Sequence, residues 1–203
     1  MKPTTILAIL FGLANSIAYT QVQITADTSG KGKTAYFAAS NALAVKDFTT
    51  LSFSSAQYWY GATDRIDVFG GATATTVLGQ AQFGAIGGAN INLLKSKAVS
   101  VSTFNTLSTP LHRRTDSCDV LWFTALVVSR NVRVGKFEFT PYSGYSVTVP
   151  LGHTADKLFT PPEPAHNMPV GVMIPKGKFA FFAEYDFGWN QQVMGIGTAY
   201  LLN

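Results

Sequence analysis

Cysteine is nearly absent from this chain of 203 residues, in which Cys118 is the only one. A single thiol permits no internal disulfide, which excludes the small exported folds that depend on disulfides for their stability. Cys118 lies in the stretch "RRTDSCD" with no second thiol nearby, so we interpret it as an incidental residue.

Long apolar runs are also missing. Beyond the N-terminus no stretch of 18 apolar residues occurs, which excludes a helical membrane protein. The N-terminus itself, "MKPTTILAILFGLANSIAYTQ", has a lysine, a short apolar run and small residues at Ser16 and Ala18. This pattern is typical of a secretory signal peptide. It predicts a signal peptide at 1–20, followed by an N-terminal periplasmic segment at 21–33 and one β-barrel domain at 34–203.

Charge is scarce and scattered. Charged residues make up 13% of the chain, against roughly 25% in an average soluble domain. The 15 basic residues exceed the 11 acidic ones, but only Arg113 and Arg114 are adjacent. Binding to a phosphate backbone requires a clustered basic stripe, so we predict no nucleic-acid partner.

Groups for catalysis are few as well. His112, His153 and His166 are the only histidines, all in expected long loops, and their spacing matches no metal site. The glycine-rich stretch "FGGATATTVLGQAQFGAIGG" precedes no helix, so it is not a phosphate loop. The sequence therefore predicts a protein that is not an enzyme and has no metal or cofactor.

What the sequence has in abundance is alternation of side chains with the period of a β-strand. In "KFAFFAEYDFGW" one face carries Phe179, Phe181, Tyr185 and Phe187, while Glu184 and Asp186 lie on the other. In "QAQFGAIGGANINLL" apolar residues likewise alternate with Gln and Asn, with Ile86 as the exception. "DRIDVFGGATATT" repeats the pattern less cleanly.

These patterns predict an all-β chain of about ten strands. Besides the three stretches above, strands are expected near 34–45, 49–60, 98–106, 119–130, 133–148, 168–174 and 192–202. The span 168–174 is short and flanked by prolines, so eight strands remain possible, as do twelve. The stretch 119–130 is apolar on both faces, which favours a filled interior over a wet channel.

Two architectures place such an aromatic face out of water. One is a single antiparallel transmembrane β-barrel with the aromatic row in lipid, and the other is a secreted or virion jelly-roll sandwich with the row between two sheets. The connections favour the barrel, because "GATD", "KSK", "NV" and "PKG" are short whereas 107–118 and 150–167 are long. An even number of strands also returns both termini to one side.

The stretch "YWYGATDRIDVFGG" resembles the turns of small Gram-negative outer-membrane β-barrels of the porin-like or transporter-like kind. The matching residues are Tyr60, Gly61, Thr63, Asp64, Arg65 and Asp67. Gly61 is expected at positive φ, and Tyr58, Trp59 and Tyr60 at the membrane–water boundary. The C-terminus "GIGTAYLLN" resembles the assembly signal of such barrels at Gly197, Tyr200 and Leu202, although it ends in Asn203 instead of an aromatic.

The resemblance implies a barrel in the outer membrane, exported by the signal peptide, with the lipid bilayer and the barrel-assembly machinery as partners. Its function would be narrow passage of small hydrophilic solutes or a structural role in the envelope; the alternative is a secreted or virion jelly-roll binding protein. The lumen-lining residues are expected to be Arg65, Asp67, Gln80, Gln82, Asn90, Asn92, Lys178, Glu184 and Asp186. The lipid-facing residues are expected to be Phe83, Ile91, Phe179, Phe181, Tyr185, Phe187 and Trp189.

Overall fold

The computed structural model describes residues 26–45, 48–77, 80–96, 98–111, 120–151, 164–188 and 191–202. Within these ranges every regular element is a β-strand. No helix there is long and apolar enough to cross a membrane. The expected signal peptide, Cys118 and Trp189 lie outside the described residues.

The described residues form eleven strands. They are β1 (Thr34–Val45), β2 (Phe48–Gly61), β3 (Ile66–Val77), β4 (Gln80–Lys95), β5 (Ser100–Pro110), β6 (Val120–Ser129), β7 (Val132–Val134), β8 (Phe137–Leu151), β9 (Ala165–Lys176), β10 (Phe179–Gly188) and β11 (Gln191–Leu201).

Ten of these strands close into one antiparallel barrel. The sheet runs from β6 back to β1, continues through β11, β10, β9 and β8, and closes where β8 pairs with β6. β7 stands outside the ring as a short hairpin partner of β8. Closure leaves no free sheet edge, so the predicted barrel is confirmed and the two-sheet sandwich is wrong.

The strand predictions hold with two corrections. Residues 133–136 do not start the strand after "NV" but form a hairpin, which turns at Gly135 with a φ of 62°. β9 is a full strand and not a short one, and it includes His166, which was expected in a loop. Its pairing with β8 skips Pro169, which has no N–H to donate.

The barrel has two different ends. The turn end, as we name it, carries the chain's described termini and the connections at 62–65, 96–99, 130–136 and 177–178. Leu202 N donates to Thr34 O there at 2.9 Å. The opposite end, the loop end, carries the connections between β1 and β2, β3 and β4, β5 and β6, β8 and β9, and β10 and β11. Both long connections that the sequence indicated are therefore on the same side.

Candidate functional site

The interior of the barrel is the candidate site, and five of the expected lumen residues lie in it. Asp67, Asn90, Asn92, Glu184 and Asp186 are all buried. Gln82 is half-buried, and the side chain of Gln80 lies outside the described part of the structure.

Two expected lumen residues lie elsewhere. Arg65 and Lys178 are exposed in turns of the turn end, and Lys178 Nζ donates to Leu202 O at 3.4 Å. Each residue lies just before its strand begins, so the alternation of faces no longer fixes where its side chain points.

The outer surface is apolar. Phe83, Phe179, Phe181 and Phe187 are exposed there, whereas Ile91 and Tyr185 are half-buried. Many further apolar side chains share this surface, among them Leu107, Trp122, Leu126, Val128, Val170, Met194 and Ile196. No charged side chain among the described residues lies on this surface between the two ends.

An apolar cluster fills the barrel interior, and all ten barrel strands contribute to it. Trp59, Phe69 and Phe104 stack nearly parallel, with the centroids of Trp59 and Phe69 4.2 Å apart and those of Phe69 and Phe104 5.2 Å apart. The cluster is completed by Ala26 (ahead of β1), Ala35, Phe37 and Ala39 (β1), Ile86 (β4), Phe123, Ala125 and Val127 (β6), Tyr142 (β8), Met173 (β9), Ala180 and Phe182 (β10) and Ala199 (β11).

This cluster corrects two sequence-based expectations. Trp59 was expected at the membrane–water boundary beside Tyr58 and Tyr60, but it is 5% exposed and points inward. Ile86, the exception in the alternation of β4, packs against the cluster and so belongs on the inner face. Isolated apolar residues on otherwise polar faces were the sequence signal for a filled interior.

Polar groups continue the interior wall on the loop-end side of the cluster. Trp59 Nε1 donates to Gln57 Oε1, and Gln57 Nε2 donates to Ser55 Oγ, each at 3.0 Å. Asn41 and Thr73 are buried on the neighbouring strands. This part of the interior can solvate a polar ligand or water.

A second polar region lies on β8, β9 and β10. Tyr142 pairs with Gly171, and Gly171 pairs with Glu184, so the three residues are side by side on the inner wall. A side chain at position 171 would collide with the Tyr142 ring. Asp186 follows on the same face at 1% exposure. All nine described lysines and arginines are exposed, so the described interior contains acidic groups but no basic ones.

The segment Ala26–Lys33, which we call the strap, crosses the barrel mouth at the turn end. Ala26 is fully buried, and its N–H donates to Ser129 Oγ at 3.1 Å. Asn92 Nδ2 donates to Ala26 O, and Asn90 Nδ2 donates to Asp27 O at 3.4 Å. Expected lumen residues therefore anchor the strap.

Two further contacts fix the strap. Both Ser29 N and Ser29 Oγ donate to Asp67 Oδ2, at 2.8 and 3.1 Å. Ser100 Oγ donates to Asp27 Oδ1 at 2.7 Å. The strap is thus bound to β3, β4, β5 and β6, which are neighbours in the barrel. The last of these, β6, lies across the barrel from β1, so the strap spans the mouth.

Gly61 contributes to the position of the strap because it has no side chain, and not because of an unusual backbone φ angle. It is not among the described glycines with positive φ, contrary to expectation. A Cβ at this position would collide with Gly30 O of the strap, while Gly61 N donates to Lys33 O at 2.8 Å. Glycine thus lets the strap approach β2 directly.

No family model and no curated protein matches the sequence. Among solved structures, the beta domain of the Bordetella autotransporter BrkA aligns at 11% identity and a TM-score of 0.48, over 83% of this chain and 98% of that one. LpxR from Salmonella typhimurium aligns at 8% identity and a TM-score of 0.45, over 82% of this chain and 99% of that one. The KdgM porin aligns at 7% identity and a TM-score of 0.42, over 82% of this chain and 98% of that one. The chain itself is a closed, antiparallel, ten-stranded β-barrel.

Proposed function

We propose that this chain spans the outer membrane of a Gram-negative bacterium as a β-barrel. The observation that carries the proposal is the outer surface, where apolar side chains are exposed and where the described charged side chains lie only at the turn end or in the interior. A closed barrel satisfies its own backbone hydrogen bonds, which hydrocarbon cannot do. Export by the signal peptide and insertion by the barrel-assembly machinery belong to the same proposal.

Membrane insertion is tested by extraction and by gel mobility. The protein should stay with membranes in alkaline carbonate and should migrate differently on gels before and after boiling, because a barrel resists detergent until it is heated. Release by carbonate or high salt without detergent would overturn the proposal.

We further propose that the barrel is closed to solutes and has a structural role in the envelope, without catalysis. The support is the apolar cluster to which every barrel strand contributes, together with the strap across the turn-end mouth. In a barrel of this size side chains nearly fill the interior. Two obstacles in series therefore stand between the two ends.

Planar bilayers test this closure. The purified full-length protein should give no steady conductance. A variant that combines Trp59→Ala and Phe104→Ala with deletion of Ala26–Gly30 should conduct, whereas deletion of those five residues alone should not. Heat-shifted gel mobility confirms that each variant still folds. Steady conductance of the unaltered protein, or hydrolysis of peptide or lipid by it, would contradict the proposal.

Narrow passage of small hydrophilic solutes is the second candidate. It is favoured by the polar side chains on the loop-end side of the cluster, where Asn41, Ser55 and Gln57 are buried. A rearrangement of the aromatic rings would have to precede any passage. The unaltered protein would then show brief openings and not continuous silence.

A further inference from the structure

The turn end has an unusual concentration of positive charge. All nine lysines and arginines among the described residues lie there, and each is exposed: Lys31, Lys33, Arg65, Lys95, Arg130, Arg133, Lys136, Lys176 and Lys178. We call this set the basic rim. Only four described acidic residues, Asp27, Asp64, Asp67 and Glu138, share that end.

Most of the rim's charge is not neutralised within the protein. The one ion pair among the described residues joins Arg133 to Glu138 at 3.5 Å, and both side chains are accessible. Asp67 is buried and accepts hydrogen bonds from Ser29, and Asp27 accepts one from Ser100. Asp67 thus accepts hydrogen bonds from the strap, and Asp27, a strap residue, accepts one from β5, so both carboxylates hold the strap against the barrel.

The rim encircles the mouth. Its members come from the strap, the connection between β2 and β3, the end of β4, the hairpin of β7, and the connection between β9 and β10. Such a ring differs from a patch on one side, which would fit a single protein partner. A ring fits a partner that surrounds the barrel on all sides.

Aromatic side chains lie directly next to the rim on the outer surface. Tyr36 and Tyr58 are in ring contact at 5.5 Å, and Phe179 and Tyr200 at 4.9 Å, while Tyr60 is exposed nearby. Tyrosines gather where hydrocarbon meets the headgroups of a membrane. This aromatic collar therefore sets the rim at the depth of the lipid phosphates.

We propose that the basic rim binds the phosphate groups of anionic phospholipids in the leaflet around the turn end. The inference rests on the proposed membrane insertion. Lysine and arginine near an anionic surface bind it cumulatively through charge attraction, and all nine rim side chains are exposed. The barrel would thus carry a shell of anionic lipid on one side of the membrane.

The test counts lipids that remain bound. The full chain is folded in zwitterionic detergent, mixed with equal amounts of phosphatidylglycerol and phosphatidylcholine of the same acyl chains, and examined by native mass spectrometry. Phosphatidylglycerol should be retained preferentially at low salt. The preference should weaken at 0.5 M sodium chloride, where charges are screened over a few ångströms.

Substitutions identify the rim as the site. The variant Lys95→Gln, Lys136→Gln, Lys176→Gln should lower the preference by roughly fivefold for each cation at most. Glu138→Gln is the matched control on the same hairpin, and it should keep or raise the preference because it releases Arg133. If the triple variant fails to fold, Lys136→Gln alone is measured in the same way.

Equal retention of the two lipids, or an unchanged preference in the folded variants, would overturn the proposal. Removal of the preference by inorganic phosphate, where chloride at equal ionic strength leaves it, would support the proposal, because the free anion would then compete with the lipid phosphate for the same cations. Heat-shifted mobility is recorded in every sample. Loss of that shift in the unaltered protein would instead signal failure of the proposed membrane barrel.

Discussion

Exposed apolar residues such as Leu126 report which solvent surrounds the barrel. Leu126 is 49% exposed near the middle of β6, whereas Phe179 is 43% exposed at the first position of β10, beside the turn end. In water, an arginine at either position would be nearly neutral. In a bilayer the cost depends on depth.

We therefore expect Leu126→Arg to lower the free energy of unfolding by ~2–4 kcal/mol and Phe179→Arg by ~0–1 kcal/mol. Urea titration of the barrel folded in lipid vesicles, followed by gel mobility, gives both values. Leu126→Gln separates the charge from the loss of the leucine side chain. Equal effects of the two arginines would contradict the proposal that Leu126 lies near the middle of the bilayer and Phe179 near its boundary.

For single residues, strict alternation along a strand predicted which side chains point into the barrel. Glu184 and Asp186 alternate with Ala183, Tyr185 and Phe187 of the other face, so their inward position followed from the period of the strand. Alternation failed at Arg65 and Lys178, which lie where strands have not yet begun. Trp59 and Phe69 face each other across the hairpin of β2 and β3, but alternation could not foresee that Phe104 of β5 joins this stack, because β5 is not a neighbour of β3.

The strap is the element that the sequence left undefined. It was predicted only as an N-terminal segment ahead of the first strand. Its position depends on side-chain contacts with Asp67, Asn90, Asn92, Ser100 and Ser129, which lie 38 to 103 residues further along the chain. No local sequence pattern encodes such contacts, whereas the alternation of side chains within each barrel strand is enough to predict that strand.

Gly61→Ala should displace the strap while leaving its sequence unaltered. The new methyl group would collide with Gly30 O, which breaks the hydrogen bonds that Gly61 makes with Gly32 and Lys33. Two such bonds contribute about 1 kcal/mol each. We expect faster hydrogen–deuterium exchange at the amides of residues 26–33 and a loss of stability of roughly 1–3 kcal/mol.

Gly70→Ala serves as the matched control. It also adds one methyl group to a strand glycine, but the nearest atom, Ile86 O, is 3.9 Å from the added carbon. Exchange at residues 26–33 should be unchanged in this variant. Comparable exchange in both variants would mean that Gly61 does not hold the strap in place.

For the molecule as a whole, charge is sorted between inside and outside. The described interior carries the carboxyl groups of Asp67, Glu184 and Asp186, and the basic rim carries the cations. The interior carboxyl groups would favour the passage of cations, whereas the basic rim would favour the passage of anions. Rim charges are exposed and screened by salt over ~10 Å at 0.1 M, whereas carboxylates that ionise in the narrow, water-filled interior of an opened barrel are screened much less.

The opened variant that lacks Ala26–Gly30 and carries Trp59→Ala and Phe104→Ala should therefore prefer cations. Reversal potentials in a potassium chloride gradient measure this preference. Adding Asp186→Asn should reduce this preference, while Glu138→Gln, which removes the partner of the rim residue Arg133, should leave it almost unchanged. Anion preference in the opened variant would show that the rim dominates.

The seam between β1 and β11 affects how the protein reaches its native state. These strands pair over their whole length, although one begins at Thr34 and the other ends at Leu201. The entropy lost in joining two points grows with the chain between them. During folding, every hairpin can form as soon as its two strands are available, but β1 must wait for the final strand. Until then its free edge is open to pairing with other chains. Delay of the last strand is therefore the step at which aggregation would compete with folding.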